Sequence, residues 1–212
     1  MAQSSKDAIL QTLRQNPPET AELPDLQQDW VQFDDPHAQF AEVLQAVGGR
    51  AVFVQDLQQL NAELGQIAAF RDAQKTASLV AGVAANVDLA SLQDPHQAED
   101  IDYFIAGGEF AVAENGAVWV TGQHTPHRVL FFIAQHVALV VDADRVLNNL
   151  HEAYQRIRFD EPGFGLFISG PSKTADIEQS LVIGAHGPRS LTVFLVRRMD
   201  QPQGASPPVL GS

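Results

Sequence analysis

The fold and the function are indicated most clearly by one segment, Gly165-Leu166-Phe167-Ile168-Ser169-Gly170-Pro171-Ser172-Lys173-Thr174-Ala175-Asp176-Ile177-Glu178, which closes at Gly184-Ala185-His186-Gly187-Pro188-Arg189. Its first five residues form a short apolar run between glycines, which is typical of a buried strand, and the Gly-Pro-Ser that follows favours a sharp turn. Ser172 or Thr174 is then placed to cap a helical turn. A strand end next to a helix start gathers backbone N–H donors, so we expect a carboxylate or phosphate to bind there, with Lys173 adding positive charge.

The same residues resemble a known family. GPSKTADIEQSLVIGAHGPRSLTVFLV, residues 170–196, is similar to the GPS-x-TADIE…G-x-HGP signature of the lactate-utilisation protein C (LutC/YkgG) family and its LUD domain. Residues 113–118 resemble the second motif of that family, and residues 128–136 resemble a looser third block. The resemblance covers about residues 37 to 197.

Composition predicts one folded domain. The chain has 212 residues, of which 45% are hydrophobic and 18% are charged, enough apolar material for a single core. We divide it into an N-terminal helix and extended arm (1–36), a LUD-type α/β domain (37–198) and a disordered tail (199–212). The formal net charge of -13 disfavours nucleic acid as a partner.

The chain contains no cysteine. It therefore has no disulfide, no thiol nucleophile and no cysteine ligand for zinc or an iron–sulfur cluster. The first residues lack the apolar core of a secretory signal, and no stretch approaches the ~18 apolar residues of a membrane span. We therefore expect a cytoplasmic protein without a membrane span.

Helical and strand-like segments alternate along the chain. The pattern predicts helices over 5–14, 37–47, 56–70 and 142–157, strands over 51–54 and 191–196, an apolar segment over 101–107, and a hairpin turning at Asn115-Gly116; residues 129–133 and 137–141 are β-branched and aromatic runs. This alternation favours a largely parallel sheet covered on both faces, with ligands at the carboxyl ends of its strands, where Gly170 is expected. The resemblance implies a three-layer α/β/α sandwich similar to the sugar-phosphate isomerase and coenzyme A transferase (NagB/RpiA-like) fold.

Residues 17–36 read as an extended arm. Trp30 and Phe33 favour docking of this arm, either onto its own core or onto a partner.

Four sets of side chains are candidates for chemistry. His186 between small residues suits acid–base or ligand-binding work, or it fastens its own turn. Glu114 is a candidate nucleophile by analogy with coenzyme A transferases of this general fold, and could face Ser172. The Asp176 carboxylate either compensates the dipole of a helix start or belongs to the ligand site, and we do not expect it to form a catalytic carboxylate pair with Glu178. His124 and His127 have a zinc-like spacing, but an exposed loop is favoured and no metal site is predicted.

The predicted site follows from these residues. We expect His186 and Glu114 to be catalytic, and ligand binding by the remaining residues of the segment: Gly170, Pro171, Ser172, Lys173, Thr174, Asp176, Glu178, Gly187 and Arg189. The resemblance implies a non-redox component of L-lactate oxidation to pyruvate, working with iron–sulfur and cysteine-rich partners, with clusters only in those partners and a small carboxylate or phosphate bound here. The alternative is a stand-alone enzyme acting on a sugar phosphate or an acyl-coenzyme A ester.

Overall fold

A computed structural model describes residues 4–17, 21–25, 28–123, 125–158, 163–174 and 182–197. The helices are α1 (Ser5–Gln15), α2 (Pro36–Ala46), α3 (Leu57–Gln66), α4 (Ala68–Arg71), α5 (Leu130–Ile133) and α6 (Leu150–Arg156). The strands are β1 (Arg50–Val54), β2 (Thr76–Ser78), β3 (Tyr103–Gly107), β4 (Phe110–Val112), β5 (Ala117–Thr121), β6 (His136–Asp142), β7 (Val146–Leu147), β8 (Gly165–Ile168) and β9 (Ser190–Val196). The predicted tail lies outside the described residues.

The centre of the molecule is a five-stranded sheet in the order β1-β9-β6-β3-β2. All four pairings are parallel, and β9 pairs with β6 along its whole length and with β1 from Thr192 to Val196. Its residues from Leu191 to Val196 are buried, which explains why this strand is a continuous apolar run in the sequence.

Two apolar clusters cover the faces of this sheet. On one face, Leu60 and Leu64 of α3 pack against Val52 and Phe194. On the other, α2, α5 and a second sheet cover a larger cluster, listed here by its largest members: Phe40, Leu44, Phe104, Leu130, Phe131 and Leu139. The predicted α/β class with a mostly parallel, doubly covered sheet is confirmed.

The second sheet has the order β7-β4-β5-β8. β4 and β5 form the hairpin predicted at Asn115-Gly116, where Gly116 has φ +61° and the Ala117 N–H donates to Asn115 Oδ1 at 3.1 Å. β8 pairs antiparallel with β5 at the edge of this sheet and is only half-buried. The strand at Gly165 was therefore predicted correctly, but its expected place in the buried parallel sheet was wrong.

The helix predicted over 142–157 is wrong in its first half and confirmed in its second, where α6 lies. Asp142 accepts the N–H of Asp144 in a short 3₁₀ turn, and Val146 and Leu147 then pair with β4 as β7. The helix begins only at Leu150, where Asn149 Oδ1 accepts the Glu152 N–H at 3.0 Å. Residues 129–133 also differ from their strand-like composition, because they form α5.

The arm lies along the start of α6. The Trp30 ring stacks on the His151 ring with centroids 3.4 Å apart. The Phe33 N–H donates to Asn148 Oδ1, and Asn149 Nδ2 donates to the Val31 carbonyl, both at 2.9 Å. These bonds attach the arm to its own domain through side chains that also form the start of the helix.

Candidate functional site

The candidate site is the signature turn, defined here as residues 170–174 and 182–189. It follows β8 and leads into β9, so it connects the second sheet to the central one. Two of its predicted ligand residues, Asp176 and Glu178, lie outside the described residues.

The two halves of the signature turn run antiparallel. The Thr174 N–H donates to the Val182 carbonyl at 3.2 Å, and the Gly184 N–H donates to the Ser172 carbonyl at 2.9 Å. The Ser172 N–H donates to the Pro188 carbonyl at 2.9 Å. The helical turn that Ser172 or Thr174 is predicted to cap lies outside the described residues. The N–H groups of Ser172 and Thr174 themselves bond backbone carbonyls and do not point at a ligand.

Gly170 and Pro171 are buried against the end of α2. Gly170 has φ +75°, and a Cβ there would lie 2.5 Å from the Val47 carbonyl oxygen. The Pro171 ring lies within ordinary contact distance, 3.5 Å, of a Cβ built on Gly48. The structure therefore gives these two predicted ligand residues a packing role.

The signature turn lies at the amino edge of the central sheet, not at the expected carboxyl edge. Gly170 and Pro171 contact the residues just before β1, and Arg189 immediately precedes β9. The reason is the antiparallel pairing of β8, whose carboxyl end returns beside the hairpin, where Ser169 Oγ donates to the Asn115 carbonyl at 2.8 Å. A strand of the central sheet would have ended at the opposite edge.

Much of the signature turn is exposed, including Ala185, whereas Gly187 is half-buried. His186 and Lys173 are exposed. Gly187 lies against Ser172 and the Phe132 carbonyl, where an added Cβ would be 3.0 to 3.1 Å from both. Within the described ranges, the N–H groups of residues 185–187 have no acceptor. N–H donors without an acceptor in the described ranges and an exposed imidazole therefore occur together in the second half of the signature turn.

Glu114 holds a helix end. Its Oε2 accepts the Leu150 N–H at 2.8 Å, and its own N–H donates to the Asn148 carbonyl at 3.0 Å. The expectation that Glu114 faces Ser172 is not met, since its carboxylate lies at the start of α6.

Sequence reasoning did not single out His136, although it lies in the third block. It is the first residue of β6, and its Nδ1 lies 2.8 Å from Ser190 Oγ. Burial, and then the Arg189 guanidinium, lower its pKa, while Asp102 acts in the opposite direction. The Arg189 N–H donates to the Gln135 carbonyl at 2.8 Å, so the first and third blocks meet here.

Only one histidine of the pair with zinc-like spacing lies in the described part of the chain. His127 Nε2 lies 3.0 Å from the Leu92 carbonyl, and His124 is outside the described residues. In the part of the chain that the structure covers, no three His, Asp or Glu side chains are grouped so as to hold a metal ion. Within the same part, no helix has the length and apolar character needed to cross a bilayer.

These features define an α/β domain with a parallel five-stranded sheet and a glycine-rich turn at its amino edge. The chain belongs to the LUD domain family, whose model matches residues 71–196. The match begins at the end of α4 and ends with β9, so it includes the signature turn.

Two curated relatives match parts of the chain. An uncharacterised protein of Neisseria meningitidis is 31% identical over 100 residues, which are 46% of this chain and 43% of the relative. The lactate utilization protein C of Bacillus pumilus is 27% identical over 117 residues, 52% of this chain and 49% of the relative. The chain thus spans about half the length of the curated relatives it matches.

One solved structure shares the fold. The crystal structure of a DUF162 family protein from Deinococcus radiodurans superposes with a TM-score of 0.52 at 17% identity, over 76% of this chain and 96% of that one.

Proposed function

We propose that this protein is a non-redox component of L-lactate utilisation. The observation that carries the proposal is family membership over residues 71–196, together with the relative named lactate utilization protein C. In this role the domain serves the oxidation of L-lactate to pyruvate without transferring electrons itself.

The composition of the chain supports a non-redox role. Iron–sulfur clusters are held by cysteine thiolates, and the chain has no cysteine. Electron transfer then falls to partner proteins rich in cysteine that carry the clusters. A small carboxylate or phosphate is the ligand of this domain.

The signature turn supplies the binding groups for that ligand. The N–H groups of residues 185–187 face no protein acceptor in the described structure, and a run of such donors binds anions. Lys173 adds a positive charge to the same turn, because its backbone pairs with that of Ile183 in an antiparallel β-bridge. His186 is exposed and can donate or accept a hydrogen bond there.

Amide NMR of the full chain tests the anion site. L-lactate, pyruvate and inorganic phosphate are added in turn at constant ionic strength. We expect saturable shifts of the amides of residues 185–187, and at least tenfold weaker binding in Lys173→Gln. Lys6→Gln, which removes an exposed lysine from α1, is the matched control and should bind like the wild type. The anion site is contradicted if the amides of residues 185–187 show no shifts, or if Lys173→Gln and Lys6→Gln bind the anion equally well.

Turnover and co-purification separate this role from a stand-alone enzyme. The purified chain should show no turnover of L-lactate, sugar phosphates or acyl-coenzyme A esters, and should co-purify with a cysteine-rich iron–sulfur protein from its own cell. The stand-alone enzyme hypothesis predicts turnover by the purified chain, and loss of that turnover in Glu114→Gln or His186→Ala. Because Glu114 already accepts the Leu150 N–H, we expect Glu114→Gln to act on stability alone.

A further inference from the structure

A cleft of about 510 Å³ opens at the amino edge of the central sheet. It is bounded by the end of α4, the segment before β3 and the start of β6. Its polar lining consists mainly of Asp72, Glu99, Asp100, Asp102, His136 and Arg189. Among the described residues of the signature turn, only the last one, Arg189, lines this cleft.

One cation of the cleft is available to a ligand. Arg71 pairs with Asp72, and Lys75 pairs with Asp100, so these two exposed charge pairs largely cancel. Arg189 forms no ion pair with the residues that the structure describes. Its guanidinium can therefore hold a carboxylate through two parallel hydrogen bonds.

The rest of the cleft offers hydrogen-bond acceptors. Asp102 Oδ2 accepts the N–H groups of Gln74 and Lys75 at 2.8 and 2.9 Å, which leaves Oδ1 without a partner in the described part of the chain. The carboxylate of Glu99 is also exposed to the cleft. A ligand group that faces these two carboxylates must be a hydrogen-bond donor, because they would repel a negatively charged group.

His136 is held in a fixed orientation at the same place. Its Nδ1 bonds Ser190 and its ring stacks on buried Tyr103, with centroids 5.9 Å apart. Its Nε2 has no protein partner among the described residues. Asp102 and Arg189 line the same cleft, the His136 N–H donates to the Asp102 carbonyl at 2.8 Å, and the Arg189 N–H donates to the carbonyl of the adjacent Gln135 at 2.8 Å.

We propose that this cleft binds a small carboxylic acid with a hydrogen-bond donor on the neighbouring carbon, that is, a 2-hydroxy acid or a 2-amino acid. Arg189 holds the carboxylate, while Asp102 Oδ1 and His136 Nε2 face the hydroxyl or ammonium group. Ala69 and Ala73 provide an apolar wall for a short side chain. The charge of the lining excludes dianions such as phosphate esters. This inference does not depend on the anion site of the signature turn.

The test is NMR of the His136 ring protons in the full chain. The probes are L-lactate and L-alanine, with propionate and pyruvate as matched acids that lack the donor. We expect saturable shifts with at least one of the first two, and at least tenfold weaker binding of both matched acids. Preference for L-lactate identifies a hydroxyl site, and preference for L-alanine identifies an ammonium site.

Two variants complete the test. Arg189→Gln should weaken binding at least tenfold while leaving the unfolding midpoint unchanged, because its side chain is exposed. Arg145→Gln, which changes an exposed arginine beyond the carboxyl end of β6, should bind like the wild type. Unchanged binding in Arg189→Gln, equal binding of propionate, or no shift of His136 with either donor-bearing acid would overturn the proposal. The amides of residues 185–187 report the signature turn separately, so each site can fail alone.

Discussion

At the scale of single residues, the backbone at Gly170 fixes the position of the signature turn. Its positive φ is a conformation that L side chains rarely adopt, and the Val47 carbonyl leaves no room for a Cβ. These two constraints act together, because the turn cannot move away from α2 without breaking the contact of Pro171. We therefore attribute the glycine in this part of the signature to packing and not to ligand binding.

Gly170→Ala should lower the free energy of unfolding by about 2 kcal/mol or more, the sum of backbone strain and a close contact. Gly107→Ala is the control, since it has no positive φ and no atom within 4 Å of an added Cβ. Urea denaturation compares the two. Equal stability of both variants would show that the turn does not need this backbone conformation.

His136 links stability to pH. Its pKa is lowered in the folded chain, first by burial and then by the Arg189 guanidinium, so the unfolded chain binds the proton more tightly. The stability contributed by the neutral ring is present above the unfolded pKa of about 6.5 and is lost as pH falls through the folded pKa. Wild type should thus lose more stability between neutral and mildly acidic pH than His136→Gln.

Urea denaturation at two pH values checks this expectation. His186→Gln is the matched control, because His186 is exposed and should leave the pH dependence of the wild type in place. The interpretation fails if His136→Gln and the wild type lose the same stability on acidification.

At the scale of elements, Asn149 serves both α6 and the arm. Its Oδ1 caps the helix, and its Nδ2 holds the Val31 carbonyl, while the residue itself is buried. Both ends of one amide group are therefore needed for two elements that are distant in sequence. The stacked pair of Trp30 and His151 lies beside these bonds and should respond when they are removed.

Asn149→Ala should cost about 1 to 2 kcal/mol, since it removes a helix cap and leaves a carbonyl without its donor. Asn149→Ser keeps a capping oxygen but is too short to reach Val31 in the same way, so it should retain most of the helix stability and still release the arm. Quenching of tryptophan fluorescence by acrylamide, compared between each variant and the wild type, follows Trp30, because Trp119 lies in β5 and contributes equally to all of them. If both variants leave quenching unchanged, Asn149 does not hold the arm.

The same region shows what local sequence could predict. The start of α6 was available from the pattern, because Asn149 is followed three residues later by Glu152, an arrangement typical of a helix start. The apolar residues Val146 and Leu147 continued the helical spacing upstream and hid that start. Their pairing with β4 depends on a contact with residues 111 and 112, which local periodicity cannot reveal.

At the scale of the whole molecule, the sequence predicted the α/β class and most element positions. It did not predict the edge of the sheet at which the signature turn lies. The strand at Gly165 has the composition of a parallel strand, and only its antiparallel pairing with β5 carries Gly170 to the amino edge. The parallel pairing of β9 with β6, in which Ser190 lies opposite His136, brings Arg189 beside Gln135 and so joins two blocks that are far apart in sequence.

We propose that ligands of this domain bind at the amino edge of the parallel sheet, whereas open α/β sheets usually bind them at the carboxyl edge. Amide chemical-shift mapping of the full chain with L-lactate tests it most directly. The account predicts shifts confined to the amino edge, at Gln135, His136, residues 185–187 and Arg189. Shifts at the carboxyl ends of the strands, at Gly107, Asp142 and Arg197, would contradict it.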